Sequence, residues 1–517
     1  MSVQDGAGLA PAAPGKSYGQ VLKSSALIGG ATVINSGLGI VRQKAMALLL
    51  GPAGFGLMGI YLSISEMTRS VAGMGINSSG VRQIAEAVGT GDSKRIARTI
   101  IALRRVAFAT GALGSLLLVA FAKPVSRLTF GDDTHATSVA LMALAVFFMD
   151  ISAAQVALIQ GMRRVADLAR VNVLGALFGT VLSIPIVYLF YRQGRAEQGV
   201  VPALVCVAAM SILTSWWYAR KIQVERVTVP LRELWAEAGE LLKLGFVFMA
   251  TGLMTLCIPY AVRVMILRTI GPEGTGFYQA AWILSGTYVG FILAAMGADF
   301  YPRLTAVASR HDECNRLVNE QAEVGLLMAG PGLLATLTFA PLVIQLFYSD
   351  KFGPSVEILR WNCIGMLLQV ASWPMGFIII AKGARAVFFW TELASCAVHI
   401  GLVWLLIHGF QLAGVGMAFA AFYALHWILV YVIARRMTGF CWSPQSLRIF
   451  AVLAPVFAVV FGAWYVLPPY AAFGIGALAT VLTGVYALRT ICSLVPFERL
   501  PRPAQKGLRL LRMAPRP

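Results

Sequence analysis

The fold is decided by the stretch LKSSALIGGATVINSGLGIVRQKAMALLLGPAGFG, residues 22–56. It recurs at an offset of 220 as LKLGFVFMATGLMTLCIPYAVRVMILRTIGPEGTG, residues 242–276. Each copy opens on Leu-Lys, runs through a long apolar segment and closes on Gly-Pro-x-Gly-x-Gly. The closing residues are Gly51-Pro52-x-Gly54-x-Gly56 and Gly271-Pro272-x-Gly274-x-Gly276. A bilayer core of about 30 Å takes about 20 apolar residues in a helix. Each copy therefore reads as a membrane span followed by a tight turn. The likeness continues: Ala72-Gly73-Met74-Gly75 resembles Ala294-Ala295-Met296-Gly297, and Gln160-Gly161-Met162-Arg163 resembles Lys382-Gly383-Ala384-Arg385.

Extending the same ruler along the chain predicts spans near 22–50, 53–78, 102–122, 137–161, 170–191, 199–219, 243–270, 275–300, 322–346, 356–381, 386–408, 414–434, 449–467 and 470–489. The expected fold is an all-α polytopic membrane protein of about fourteen transmembrane helices. The expected domains are a tail (1–20), an N-terminal six-helix lobe (21–219), a basic amphipathic linker (220–242), a C-terminal six-helix lobe (243–436), an extra helix pair (437–491) and a basic tail (492–517). Six is even, so the two lobes share one topology and are related by an axis along the membrane normal, with sites expected where repeats meet.

Composition agrees. Of 517 residues 58% are apolar and 13% charged, with mean hydropathy +0.75. A soluble domain carries about 25% charged residues, so a cytosolic enzyme, a nucleic-acid module and a disordered chain are excluded. The net charge of +19 follows from 42 Lys+Arg against 23 Asp+Glu. With the N-terminus inside, 31 of the 42 fall on the cytoplasmic side and 7 outside. That asymmetry sets both termini in the cytoplasm and removes the need for a nucleic-acid partner. Residues 1–20 lack the apolar core of a cleavable signal, so the first span is expected to act as an uncleaved start. The seven cysteines and five histidines are scattered without a CxxC, so neither a disulfide framework nor a metal site is expected. Gly54-x-Gly56-x-x-Gly59 formally matches a dinucleotide fingerprint, but no strand precedes it. No GxxxxGK[ST] occurs, no catalytic group stands out, and no cofactor is expected.

Ionisable residues at membrane depth are costly and mark cavities or partners. Four cations lie there: Arg42, Lys44, Arg69 and Arg263. Arg42 shares a helical face with Asn35, Gly39, Ala45 and Met46, which suits a wet cavity. Lys44 lies about 200° away and can snorkel to the interface instead. Thr251, Thr255, Pro259 and Arg263 form one stripe, and Pro259 frees the carbonyl of Thr255. The offset sets Arg263 opposite Gln43, so each copy holds a cation at similar depth. Such cations favour an anionic substrate, and the planar guanidinium fork suits phosphate. Pairing with a buried carboxylate is the plainer alternative. Glu66 and Arg69, at i and i+3, can pair on one helix. Asp150 can pair with Arg69 or Arg42. Glu392, Ser395, Cys396 and His399 form a stripe that suits a proton relay or ordinary interhelical hydrogen bonds. Glu66, Asp150, Glu392 and His399 are the candidate coupling or cavity residues. Phe277, Tyr278 and Trp282 fit an interfacial belt, with Trp282 alternatively stacking on a sugar. Loops 79–98 and 303–320 are expected as short surface helices.

With the basic loop Gly80-Val81-Arg82-Gln83-Ile84-Ala85 and the segment Leu346-Phe347-Tyr348-Ser349-Asp350-Lys351-Phe352, these features resemble the Wzx-type O-antigen translocases of the polysaccharide-transporter group. That group belongs to a superfamily with lipid-linked peptidoglycan-precursor flippases and multidrug and toxin extrusion transporters. The resemblance covers about residues 20–436. It is one of pattern, closest to flippases of the enterobacterial common antigen lipid. Those usually end after twelve spans, and the last pair here is similar to the extra pair of peptidoglycan-precursor flippases.

The resemblance implies two lobes around a central cavity and alternating access. The substrate it implies is an undecaprenyl-pyrophosphate-linked oligosaccharide moved across a bacterial inner membrane, as in lipopolysaccharide or exopolysaccharide assembly. It implies Arg42, Lys44, Arg69 and Arg263 as substrate-binding residues, and a polysaccharide polymerase and chain-length regulator as partners besides membrane lipids. A drug or metabolite antiporter of the same superfamily is the rival, favouring acidic cavity residues. A membrane polymerase or ligase fits less well, because no long outer loop offers an acid/base pair.

Overall fold

The computed structural model describes residues 14–223 and 231–494. Most of both expected tails and the middle of the expected linker lie outside the described residues. Within them every regular element is helical. The chain divides into two compact units, Met1–Tyr260 and Ala261–Pro517.

The first unit contains α1 (Pro14–Ala72), α2 (Ile76–Thr90), α3 (Ser93–Ala120), α4 (Ala122–Thr129), α5 (Ala136–Gly161), α6 (Val165–Arg192), α7 (Val200–Ala219) and most of α8 (Leu231–Thr269). Residues 231–242, within the expected linker, are the start of α8 and run unbroken into the next expected span. The second unit contains α9 (Pro272–Ala306), α10 (His311–Thr338), α11 (Ala340–Phe347), α12 (Ser355–Ala381), α13 (Arg385–Thr438), α14 (Pro444–Val466) and α15 (Pro469–Leu494).

The repeated Gly-Pro turn has one backbone solution in both places. Gly51 sits at φ 65, ψ −176, and Gly271 at φ 108, ψ −178. Only glycine adopts that region without strain. The proline that follows starts the next helix, where its missing N–H costs nothing. Gly51→Ala should therefore destabilise the protein by about 1–3 kcal/mol. Gly37→Ala, in open space at ordinary φ, should be neutral or slightly stabilising. Melting temperatures in detergent check this, and equal effects of the two would refute the strain.

Among the described residues eleven helices are long and apolar enough to cross a membrane, or twelve if the bent pair α10 and α11 is one span. The expected count of fourteen is not reached this way. Two of the eleven run 46 and 54 residues, Leu27–Ala72 and Arg385–Thr438. At 1.5 Å per residue each is about 70–80 Å long, more than twice the bilayer core. Both are broken, at Gly51 and at Gln411, where φ is 51 and ψ −129. The count becomes fourteen only if each crosses twice.

Of the two expected surface helices one forms: its apolar face is packed and Arg82 and Glu86 are exposed. The 79–98 region is largely α2, which buries Ile76, Ile84 and Ala87 and shares a core cluster with Ile100, Leu103 and Leu158. The 303–320 region holds no separate helix. Instead α9 continues past Pro302 to Ala306 and α10 begins at His311. The last helix pair is pinned to α10 by a buried network. Ser443, the N-cap of α14, donates to Glu323 at 2.6 Å, and Ser446 donates to the same oxygen at 2.8 Å. Asn319 accepts from the Ser443 amide at 2.8 Å. Away from these contacts Val459, Val466, Leu478 and Val481 are exposed, as a lipid-facing pair requires.

Candidate functional site

The first unit encloses a cavity of about 280 Å³ at the foot of α1. The break at Met74 (φ 43) and Gly75 (φ 64) turns the chain from α1 into α2. Glu66, Arg69 and Ser70 thereby face Asn77 and Ser78, with Thr110 of α3 and Asp150 of α5 completing the polar wall. Met249 and Leu256 of α8 form an apolar side. Arg69 Nε donates to Asp150 Oδ1 at 3.2 Å. Of the two carboxylates the sequence offered Arg69, the structure selects Asp150 and leaves Glu66 exposed. The close approach of α3 helps: a Cβ on Gly111 would stand 3.4 Å from Asp150 Cβ. Asp150 is only 8% exposed, and its Oδ2 has no hydrogen-bond donor among the described residues. Thr110 spends its proton on the Val106 carbonyl at 2.9 Å. The pocket thus joins a half-buried guanidinium to a carboxylate oxygen that still accepts.

The other cations differ in setting. Arg263 of α8 is 8% exposed. Its Nε donates to Gln279 Oε1 of α9 at 2.9 Å, and its guanidinium stands 5.9 Å from the Tyr278 ring centroid. Tyr278 is buried and stacks on Trp282 at 5.9 Å. Thr251, first in the Arg263 stripe, lies outside the described side chains. Arg42 is half-buried and forms no hydrogen bond or ion pair among the described residues. Lys44 is half-buried and has a partner.

On α13, no hydrogen bond joins Glu392, Ser395 and His399 to one another among the described residues. His399 is 5% exposed and lies flat on Phe422, 4.6 Å and 6° apart. The Ser395 hydroxyl has no partner among the described residues, and Glu392 is half-buried. Phe422 comes from the same helix beyond the break at Gln411.

Outside the spans, His135 precedes α5 and shares a 2.9 Å hydrogen bond with the Tyr61 hydroxyl. It stacks on Phe130 at 4.0 Å. Burial holds its pKa below the ordinary value, against the opposing pull of Asp132 and Glu197. The neutral ring is therefore the folded form. An unfolded histidine takes its proton near pH 6.5, so the contribution of His135 is complete above that pH and fades as pH falls below it. The stability gap between wild type and His135→Asn should narrow from pH 7.5 to pH 5. A gap constant across that range in thermal melts would contradict the linkage.

Sequence reasoning missed Ser70, Asn77, Ser78 and Thr110 around Asp150, and Gln279 beside Arg263. The only available signal was polarity near a helix end, which loop residues share.

The profile of the family described as "Polysaccharide biosynthesis protein" matches residues 45–357. The lipid III flippase of Escherichia coli (strain K12) is 24% identical over 428 residues, covering 80% of this chain and 99% of its own. The lipid III flippase of Shigella flexneri matches to the same extent. Among solved structures, the lipid II flippase MurJ in an inward closed conformation superposes with TM-score 0.64 at 14% identity, covering 90% of this chain and 99% of that one. An inward-facing multidrug resistance MATE family transporter of the MOP superfamily gives TM-score 0.65 at 15% identity, over 77% and 94%. At these identities the structures establish a shared fold.

Proposed function

The chain belongs to the polysaccharide biosynthesis protein family, and from that membership we propose that it is a flippase for an undecaprenyl-pyrophosphate-linked oligosaccharide. The cargo is an O-antigen, exopolysaccharide or similar repeat unit, carried across a bacterial inner membrane by alternating access. The observation that carries the reading is the match to 99% of the length of a curated lipid III flippase. It is supported by cations where a membrane helix tolerates them least. In this reading Arg42, Lys44, Arg69 and Arg263 bind the acidic head group. Glu66, Asp150, Glu392 and His399 serve coupling or line the cavity. The long helices α1 and α13 each cross twice, both termini lie in the cytoplasm, and a polymerase and chain-length regulator act on the product. Family placement supports a transporter and argues against an enzyme.

An antiporter for drugs or metabolites is the second reading. The pocket that joins Asp150 and Glu66 to Arg69 favours it, because acidic groups suit organic cations. Purified protein in proteoliposomes separates the two. A short-chain polyprenyl-pyrophosphate oligosaccharide should change leaflet only when protein is present, while an ethidium gradient stays unchanged. Ethidium transport without glycolipid movement would reverse the assignment.

A further inference from the structure

A second cavity, of about 480 Å³, lies between α3, α5 and α7 and adjoins the first at Ala107 and Ala154. Its position along the helices is fixed by its lining. Arg104 lies in the first half of α3, Gln155 near the end of α5, and Trp216 and Arg220 at the end of α7. All belong to the end of the first unit that carries the basic connections around Arg82, Arg98 and Arg164.

The α7 end has the chemistry of a membrane–water interface. Arg220 lies over the Trp217 ring at 3.7 Å and near Trp216 at 4.9 Å. Lys221 lies over Tyr218 at 4.3 Å. Aromatic rings with cations at helix ends settle at head-group depth.

The wall of this cavity is divided. One part offers hydrogen-bond donors. No carboxylate lines it, and neither Arg104 nor Arg220 has an acidic partner within 4 Å among the described residues. Gln155 is oriented by the Ser215 hydroxyl, which donates to its Oε1 at 2.6 Å. With its oxygen so engaged, Gln155 has N–H groups left to donate. The other part is apolar: Ala107, Phe108, Ile151 and Ala154. Phe108 and Trp216 are both exposed, so the cavity opens onto the surface that bears large apolar side chains. A donor-lined mouth beside an apolar wall at interface depth matches one kind of molecule, an acyl-chain amphiphile with a phosphate head.

We infer that this cavity binds the phosphate head group of an anionic membrane phospholipid. Arg104 and Arg220 hold the phosphate oxygens through guanidinium N–H groups, Gln155 donates a third hydrogen bond, and the first acyl segment lies along Phe108 and Ile151. Its polar groups, Arg104, Gln155 and Arg220, are none of those lining the Arg69–Asp150 pocket, which it adjoins at Ala107 and Ala154, and the inference stands whether or not the flippase reading does.

Native mass spectrometry of the full chain in detergent tests it, with phosphatidylglycerol and phosphatidylcholine titrated in parallel. Phosphatidylglycerol should occupy wild type at lower concentration than phosphatidylcholine. Two arginine-to-phosphate attractions multiply to about thirtyfold, so R104Q/R220Q should lose affinity for phosphatidylglycerol on that order. Its lipid-free melting temperature should fall only slightly, since both side chains are exposed and the contact of Arg220 with Trp217 is what is lost. Equal affinity of wild type for the two lipids overturns the proposal, as does undiminished phosphatidylglycerol binding by the variant. A third arm adds undecaprenyl pyrophosphate. If it displaces phosphatidylglycerol at equimolar amounts, the site belongs to polyprenyl lipid and the assignment to phospholipid fails.

Discussion

Asp150→Leu should markedly lower the thermal stability of the protein. The substitution leaves the Arg69 guanidinium, 27% exposed, without the carboxylate it meets at 3.2 Å. Removing one partner of a buried ion pair costs about 3–5 kcal/mol, and Arg69's partial exposure places the expected loss toward the lower end. Removing both charges, as in Arg69→Met with Asp150→Leu, should recover most of that loss. Apolar groups in a membrane interior leave no charge to desolvate. Asp150→Asn tells structure from transport. An amide oxygen still accepts from Arg69 Nε but brings no counter-charge, so the protein should melt between wild type and Asp150→Leu. If Asp150 also carries a coupling charge, translocation falls in that variant despite the retained fold. Melting curves and the proteoliposome assay on the four proteins settle both points. A double variant as unstable as Asp150→Leu would show that the pair is not the unit of stability.

That pairing shows how far the sequence reaches. Asp150 and Arg69 stand 81 positions apart, and the sequence could name them as partners because each is a charge that hydrocarbon cannot hold alone. It could not choose between Asp150 and Glu66. The choice depends on how closely α3 and α5 approach α1, which Gly111 and Gly73 settle through packing. The Gly-Pro turn was legible down to its backbone because its two glycines serve a conformation that other residues avoid. The span count was less legible. A hydropathy ruler sees two apolar runs at 22–50 and 53–78, and they meet at the kink at Gly51 where two helices join within α1, but hydropathy alone does not say whether both halves cross. Short α4 and α11, of 8 residues each, are below the length at which periodicity says anything. The surroundings of the α13 stripe were illegible for a related reason. The ring that stacks on His399 comes from Phe422 beyond Gln411, and the stripe of one helix says nothing about what folds back against it.

Arg263→Ala should reduce glycolipid translocation by about ten- to a hundredfold, the range expected when a hydrogen-bonded charge is withdrawn from an anionic ligand. The prediction rests on where Arg263 sits. At 8% exposed it occupies a position where an arginine is expensive, and the partners around it include a neutral amide and an aromatic ring. Gln279 fixes Nε and so fixes the plane of the guanidinium. Gln279→Leu should then keep the charge but loosen the fork, and lower translocation by less than Arg263→Ala does. Arg263→Lys keeps the charge and loses the planar geometry that binds two phosphate oxygens at once, so it should fall between wild type and alanine. Arg42→Ala is the matching change in the first repeat. If the two arginines act on one pyrophosphate, the double variant loses less than the product of the single losses, since sites that share a ligand are not additive. Protein levels and melting temperatures must accompany the rates, because alanine at 263 also leaves Gln279 Oε1 without its donor, at about 1–3 kcal/mol. Full translocation by both Arg42→Ala and Arg263→Ala at wild-type protein levels would remove these residues from the substrate path.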